Sequence, residues 1–168
     1  DSARQLMRMI QNILHIGRLE EQRMPLRLEP VPVPRLAQEA LDEMMSIAQR
    51  EGVRLVNVVP ADLPSPKADR ELVARILSNL ISNASKYSPI GGKIRLSARR
   101  EGEQVVLAVS DNGVGISAEL LERVFGPFVQ GTDPSTVSPG LGLGLTLVRR
   151  LAELHGGKVF AASSGAGQ

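Results

Sequence analysis

Between residues 79 and 87 the chain reads Asn79-Leu80-Ile81-Ser82-Asn83-Ala84-Ser85-Lys86-Tyr87. Steps of four and three residues return to the same side of a helix, so Asn79, Asn83 and Lys86 share one side. Val73, Ile76, Leu77, Leu80 and Ala84 make the neighbouring apolar face. Asn is a poor choice for a helix interior, because its short amide competes for backbone hydrogen bonds. Two of them four apart, followed by Lys, are suited to holding a ligand. Amide oxygens can ligate a hard cation such as Mg2+, and an ammonium can meet phosphate oxygens. The same residues would also serve as the polar flank of an amphipathic helix.

Two glycine-rich stretches lie downstream. Asp111-Asn112-Gly113-Val114-Gly115 follows the end of an alternating segment. Asn-Gly is a favoured hairpin turn, but such a turn needs a second strand directly after it, and a helix-like segment follows instead. The chemical reading is a carboxylate at a strand end that accepts a hydrogen bond from an amino group. Glycines beside it would let a flat ligand approach the backbone, and an adenine amino group would fit. Gly140-Leu141-Gly142-Leu143-Gly144 opens a helix. It matches neither the dinucleotide pattern nor the P-loop. Exposed N–H groups at a helix start still attract phosphate, and a hinge is the other use of such glycines.

The elements that must position these residues can be read in order. Residues 2–23 carry an apolar stripe at near-heptad spacing (Leu6, Met9, Ile10, Ile13, Leu14) and read as one amphipathic helix, with His15 as a helix residue. Residues 26–34 are extended, and the prolines suit an edge strand or linker. Residues 35–51 form a second helix stopped by Gly52, and 53–59 form a short strand. Asp69 caps a third helix that runs to about Tyr87. Residues 93–100 and 104–110 make an antiparallel hairpin. Ser117 caps a short helix. Residues 125–144 show little pattern, which in a compact domain points to a working loop. A helix from Leu145 ends at His155-Gly156-Gly157, where a His155 cation would suit the helix dipole, and 158–162 is expected to be a last strand.

Composition narrows the class. The chain has 168 residues, 42% hydrophobic and 23% charged, as in a soluble globular domain. It has no Trp, one Tyr and three Phe, so its core must be aliphatic. A net charge of +2 gives no pointer to nucleic acid. No Cys is present, which excludes disulfides and thiolate metal sites. No apolar run is long enough to span a membrane.

The three motifs in this order resemble the nucleotide-binding domain of sensor histidine kinases, within the wider ATPase family that includes gyrase and the heat-shock chaperone. Asn79–Tyr87 is similar to the family's Asn box and Asp111–Gly115 to its first glycine box. Phe125–Phe128 is similar to its phenylalanine box and Gly140–Gly144 to its second glycine box. Ile13–Glu20 resembles the end of a dimerisation hairpin. The resemblance implies an α/β (α+β) two-layer sandwich, a mixed, mostly antiparallel sheet packed on three helices, with residues 1–24 as hairpin helix and 25–168 as ATP-binding domain. It implies a lid at about 117–141, with the mobile part at 125–139.

The resemblance also implies roles. Asn83, with Asn79, would hold Mg2+. Lys86 and Tyr87 would meet the phosphates and the lid side of the nucleotide. Asp111 would read the adenine amino group, with Gly113, Gly115 and Ile116 lining the base pocket. Phe128 would lie at the nucleotide, and Gly140, Leu141, Gly142, Leu143 and Gly144 would approach its phosphates. Hydrolysing members of the family place a Glu where Asn79 stands. An amide is no base, so phosphoryl transfer from Mg-ATP to a positioned imidazole is expected over water attack. The implied partners are ATP and ADP, the hairpin of a homodimeric kinase, and a response-regulator receiver domain, in the cytoplasm, with no nucleic acid and no membrane contact by this fragment. Three departures from the family pattern are visible. Neither His15 nor His155 has the sequence context of the phosphoacceptor, so the acceptor is expected outside this chain. Residues 129–139 hold no basic residue. The chain stops before the family's final strand, so the sheet is expected to lack an edge. A degenerate module acting by protein contact, or an ATP-hydrolysing relative, are the alternatives.

Overall fold

The structure is a computed structural model and describes residues 25–129 and 142–165. The helix expected at 2–23, and with it the hairpin assignment of 1–24, lies outside the described residues, as do Gly140 and Leu141.

Strand β1 (Glu29–Pro30) leads into helix α1 (Val33–Glu51). Prolines at the start of α1 fit a first turn whose N–H groups have no helical partner, which carries the helix two residues upstream of the sequence prediction. Leu36, Ala37, Ala40, Leu41, Met44 and Ala48 recur at steps of one, three and four, and all are buried. Gly52 ends the helix and returns its N–H to the Gln49 carbonyl. Then come β2 (Arg54–Asn57), β3 (Lys67–Ala68), α2 (Arg70–Tyr87), β4 (Lys93–Glu101), β5 (Gln104–Asp111), α3 (Ala118–Leu121) and α4 (Gly144–Leu154).

The main sheet has the order β2-β4-β5. β2 runs parallel to β4, so the chain between them must cross over, and α2 is that crossover. β4 and β5 form the predicted antiparallel hairpin, with Ile94 opposite Asp111 and Glu101 opposite Gln104. β1 and β3 make a separate two-residue antiparallel ladder. Sequence patterning missed β3, because two residues carry no period and only the partner strand defines them.

α1 and α2 lie against the sheet, and α4 packs on α2. One cluster joins α1, α2 and β4 through Leu36, Leu41, Met44, Leu77, Ile81 and Leu96. A second joins α2 to α4 through Leu72, Leu147 and Leu151, with Leu26 and Ile76 packed against it. α2 is thus covered on two sides. Ile81, absent from the predicted apolar face, is fully buried, whereas Val73 and Leu80 are only partly covered. The Arg70–Glu39 ion pair also links α2 to α1, but both groups are half exposed and contribute little. Leu77 is wholly enclosed. Leu77→Ala is expected to lower stability by about 2–5 kcal/mol, read as a fall in the urea midpoint.

One expected strand does not form. Lys158–Ala162 runs without a ladder partner, and Phe160 is 83% exposed. Alternation of residue types permits a strand, but hydrogen bonds to a neighbour make one. Beyond it, Ser163 and Gly165 return to the protein by local contacts, described below.

Candidate nucleotide site

The C-terminal half of α2 carries Asn79, Asn83, Lys86 and Tyr87, and the start of α4 meets the first two. A Cβ on Gly144 would stand 3.2 Å from Asn79 Oδ1, and 3.8 and 3.9 Å from Asn83 Nδ2 and Oδ1. Asn79 Nδ2 donates to the Arg75 carbonyl at 2.8 Å, which leaves Oδ1 for this gap. The Asn83 amide makes no hydrogen bond among the described residues. α4 begins with no side-chain cap, so its first-turn N–H groups lack a side-chain acceptor. Two amide side chains and the positive end of a helix therefore face one another across a glycine, an arrangement that suits a cation bound to phosphate.

The other flank is built by β5. Asp111 ends the strand, and its Oδ1 accepts the Gly113 N–H at 2.8 Å. Val114 N–H donates to the Tyr87 carbonyl at 3.1 Å, which holds the turn against the end of α2. The fit there requires glycine: a Cβ on Gly113 would come 2.5 Å from the Tyr87 carbonyl oxygen and 2.6 Å from Asp111 Oδ1. Asn112 Oδ1 accepts the Lys93 N–H at 2.7 Å and fixes the turn to β4. Gly115 lies against the Gly165 carbonyl. The Ile116 N–H donates to Ser163 Oγ at 2.9 Å. Asp111 is exposed, with Oδ2 open to a donor, and Lys86 and Tyr87 are exposed on the last turn of α2.

The two remaining boxes also touch. Thr146 Oγ1, in the first turn of α4, donates to the Gly126 carbonyl at 2.8 Å. Gly142 has φ +67°, and a Cβ there would be 2.5 Å from the Val129 carbonyl oxygen. Phe128 meets this glycine through its backbone. The residue is 70% exposed, and its φ of +59° is one that few non-glycine residues adopt. Leu143 is buried at the start of α4. The structure thus brings Asn79, Asn83 and Gly144 together and sets Asp111, Gly113 and Tyr87 beside one another.

Partial burial lowers the Arg75 guanidinium from its ordinary value. On the exposed side of α4, the hydrogen bond from Arg149 holds the Glu153 carboxyl below its ordinary value, with further help from the Arg149 and Arg150 charges.

Sequence reasoning missed Thr146, Ser163 and the partners of His155. A cationic His155 at the helix end was the expectation. The ring instead accepts the Asp69 N–H at Nε2 (3.0 Å) and lies 2.7 Å from the Leu151 carbonyl at Nδ1. Only the neutral ring with hydrogen on Nδ1 satisfies both contacts.

The family model for histidine kinase-, DNA gyrase B- and HSP90-like ATPases matches residues 68–168. An uncharacterised sensor-like histidine kinase of Rhizobium meliloti is 40% identical over 165 residues, covering 97% of this chain and 31% of that protein. The histidine protein kinase DivJ of Caulobacter vibrioides is 34% identical over 163 residues, covering 97% and 27%. Among solved structures, full-length ShkA in complex with AMPPNP superposes with a TM-score of 0.83 at 31% identity, covering 97% of this chain and 34% of that one. The catalytic domain of the histidine kinase ThkA superposes with a TM-score of 0.68 at 25% identity, covering 80% and 87%. The chain belongs to this ATPase family. It spans about a third or less of the length of these two curated relatives. Among the described residues no helix is long and apolar enough to cross a membrane.

Proposed function

We propose that this domain binds Mg-ATP between α2, the turn after β5 and the start of α4. It then delivers the γ-phosphoryl group to a histidine on a dimerisation hairpin of the same homodimeric kinase, on the cytoplasmic side. A receiver-domain aspartate of a response regulator is the next acceptor. The observation that carries this reading is the convergence of Asn79 and Asn83 on Gly144 at the uncapped start of α4.

Each residue has a task. Asp111 Oδ2 accepts the adenine amino hydrogen, while Gly113, Gly115 and Ile116 line the base. Lys86 and the N–H groups at Gly142, Leu143 and Gly144 hold phosphate oxygens, with Gly140 and Leu141 leading into them. Tyr87 closes the lid side, and Phe128, within the lid, lies at the nucleotide. Magnesium, when bound, neutralises charge on the transferring phosphoryl group. Asn83 and Asn79 would hold it through amide oxygens. Asn79 has no basicity to activate water and already spends its donor on Arg75, which favours transfer to a protein imidazole over hydrolysis.

Calorimetric titration with Mg-ATP tests the reading. The chain is expected to bind, and Asn83→Ala is expected to weaken binding by about tenfold or more, since a charge-assisted contact is worth about 1.5–3 kcal/mol. Equal affinity in the variant would remove Asn83 from the site. Labelled phosphate should pass from ATP to a separately supplied hairpin domain. Steady phosphate release with no acceptor present would mark a hydrolase instead.

A further inference from the structure

We propose that Asp69 and His155 are positioning residues that set the start of α4 at Gly144 against Asn79 and Asn83, and that tie this setting to the chain entering at Leu26–Arg27. The inference rests on the nucleotide reading above.

α2 starts at Asp69 and carries Asn79 about 15 Å further on, at 1.5 Å rise per residue. α4 starts at Gly144, beside Asn79, and returns to His155, beside Asp69. The two helices are antiparallel, with the candidate site at one end of the pair and the Asp69–His155 contact at the other. Between them lie Leu72, Leu147 and Leu151. Apolar packing of this kind is non-directional and resists separation better than sliding. Hydrogen bonds fix the register along the axis.

Asp69 is buried and engaged three ways. Its Oδ1 accepts the Leu72 N–H at 3.2 Å and caps α2. Its N–H donates to His155 Nε2 at 3.0 Å. Its Oδ2 accepts the Arg27 N–H at 3.0 Å, and the adjoining Leu26 packs on the α2–α4 cluster. One residue therefore joins the entering chain, the start of α2 and the end of α4. Displacing residues 26–27 pulls on the residue whose backbone N–H holds His155, and on the apolar cluster that packs α4 on α2. A shift of α4 along α2 moves Gly144 away from the two amides, and with it the phosphate end of the site. The base end, built by β5 and the last turn of α2, is untouched.

That asymmetry supplies the test. Affinities of the full chain for Mg-ATP and for adenosine are measured side by side, together with the thermal midpoint. His155→Ala is expected to weaken Mg-ATP binding by about fivefold to tenfold, within the range seen for residues that act on a site without touching its ligand, and to leave adenosine binding unchanged. His155→Gln, whose amide oxygen can accept the Asp69 N–H, should recover most of the loss. Asp69→Asn keeps the cap and the backbone N–H to His155 but loses the acceptor of the Arg27 N–H, so it should lose Mg-ATP selectively through the entering chain; if His155→Ala fails to fold, His155→Leu, which fills the space without an acceptor, takes its place against His155→Gln. A lower midpoint with an unchanged ratio of the two affinities overturns the junction and leaves the nucleotide reading intact. A wild-type chain that binds neither ligand overturns both.

Discussion

Asp111→Asn is expected to reduce ATP affinity by about two orders of magnitude or more while the domain stays folded. The carboxylate at the end of β5 uses Oδ1 for the Gly113 N–H and keeps Oδ2 for a ligand donor. An amide oxygen can still accept the Gly113 hydrogen, so the turn and its fit under Tyr87 survive. What changes is the second atom. An acceptor becomes an NH2 donor and faces the amino donor of adenine, so a satisfied pair becomes two opposed donors. A site built to hydrogen-bond one group rejects a ligand that leaves its polar atoms unpaired by large factors. The same exchange makes the variant more tolerant of guanine, which presents a carbonyl oxygen where adenine has its amino group. Competition titrations of ATP against GTP should therefore show the preference narrowing or reversing. Because Asp111 is exposed, the denaturation midpoint should move by no more than about 0.5 kcal/mol in free energy. Unchanged ATP affinity would place adenine recognition elsewhere.

How much of this site was legible in the chain depends on the range of the interactions involved. Asn79, Asn83 and Lys86 share a helix face because of spacing alone, and the helix itself was announced by Asp69 at its cap. The antiparallel hairpin followed from local alternation and a short Glu101-Gly102-Glu103 turn. Gly113 and Gly144 were visible as glycines, but their reason is tertiary: one fits under the Tyr87 carbonyl, the other faces two amides. No periodicity predicts those neighbours.

The readings that failed share the same cause. His155 sits where a cation would suit a helix end, yet the Asp69 N–H, 86 residues away, requires an acceptor and fixes a neutral ring. Lys158–Ala162 alternates like a strand but has no ladder partner. Ile81 lies off the single apolar face that spacing predicts, whereas α2 is covered from two directions.

Gly142→Ala is the substitution with the largest expected effect on both stability and binding together. The residue has φ +67°, a region that costs an L side chain about 1–2 kcal/mol. The new methyl would also stand 2.5 Å from the Val129 carbonyl oxygen and 2.8 Å from the Phe128 carbonyl carbon and the Val129 nitrogen, all of them backbone atoms that no rotamer change can move aside. Either the Phe128–Val129 segment or the entrance to α4 has to shift. Thr146 holds α4 to the Gly126 carbonyl on that same segment, so the two are expected to shift together. Gly144 would then be carried away from Asn79 and Asn83. ATP affinity should fall by about tenfold to a hundredfold, beyond what the loss of stability alone accounts for. Gly102→Ala separates strain from contact: Gly102 has φ +60° in the hairpin turn, with no atom within 4 Å of an added Cβ. It should cost a comparable strain energy and leave ATP affinity unchanged. If urea denaturation and calorimetry gave the same result for both variants, the contact between the phenylalanine and second glycine boxes would have no part in holding the phosphate end of the site.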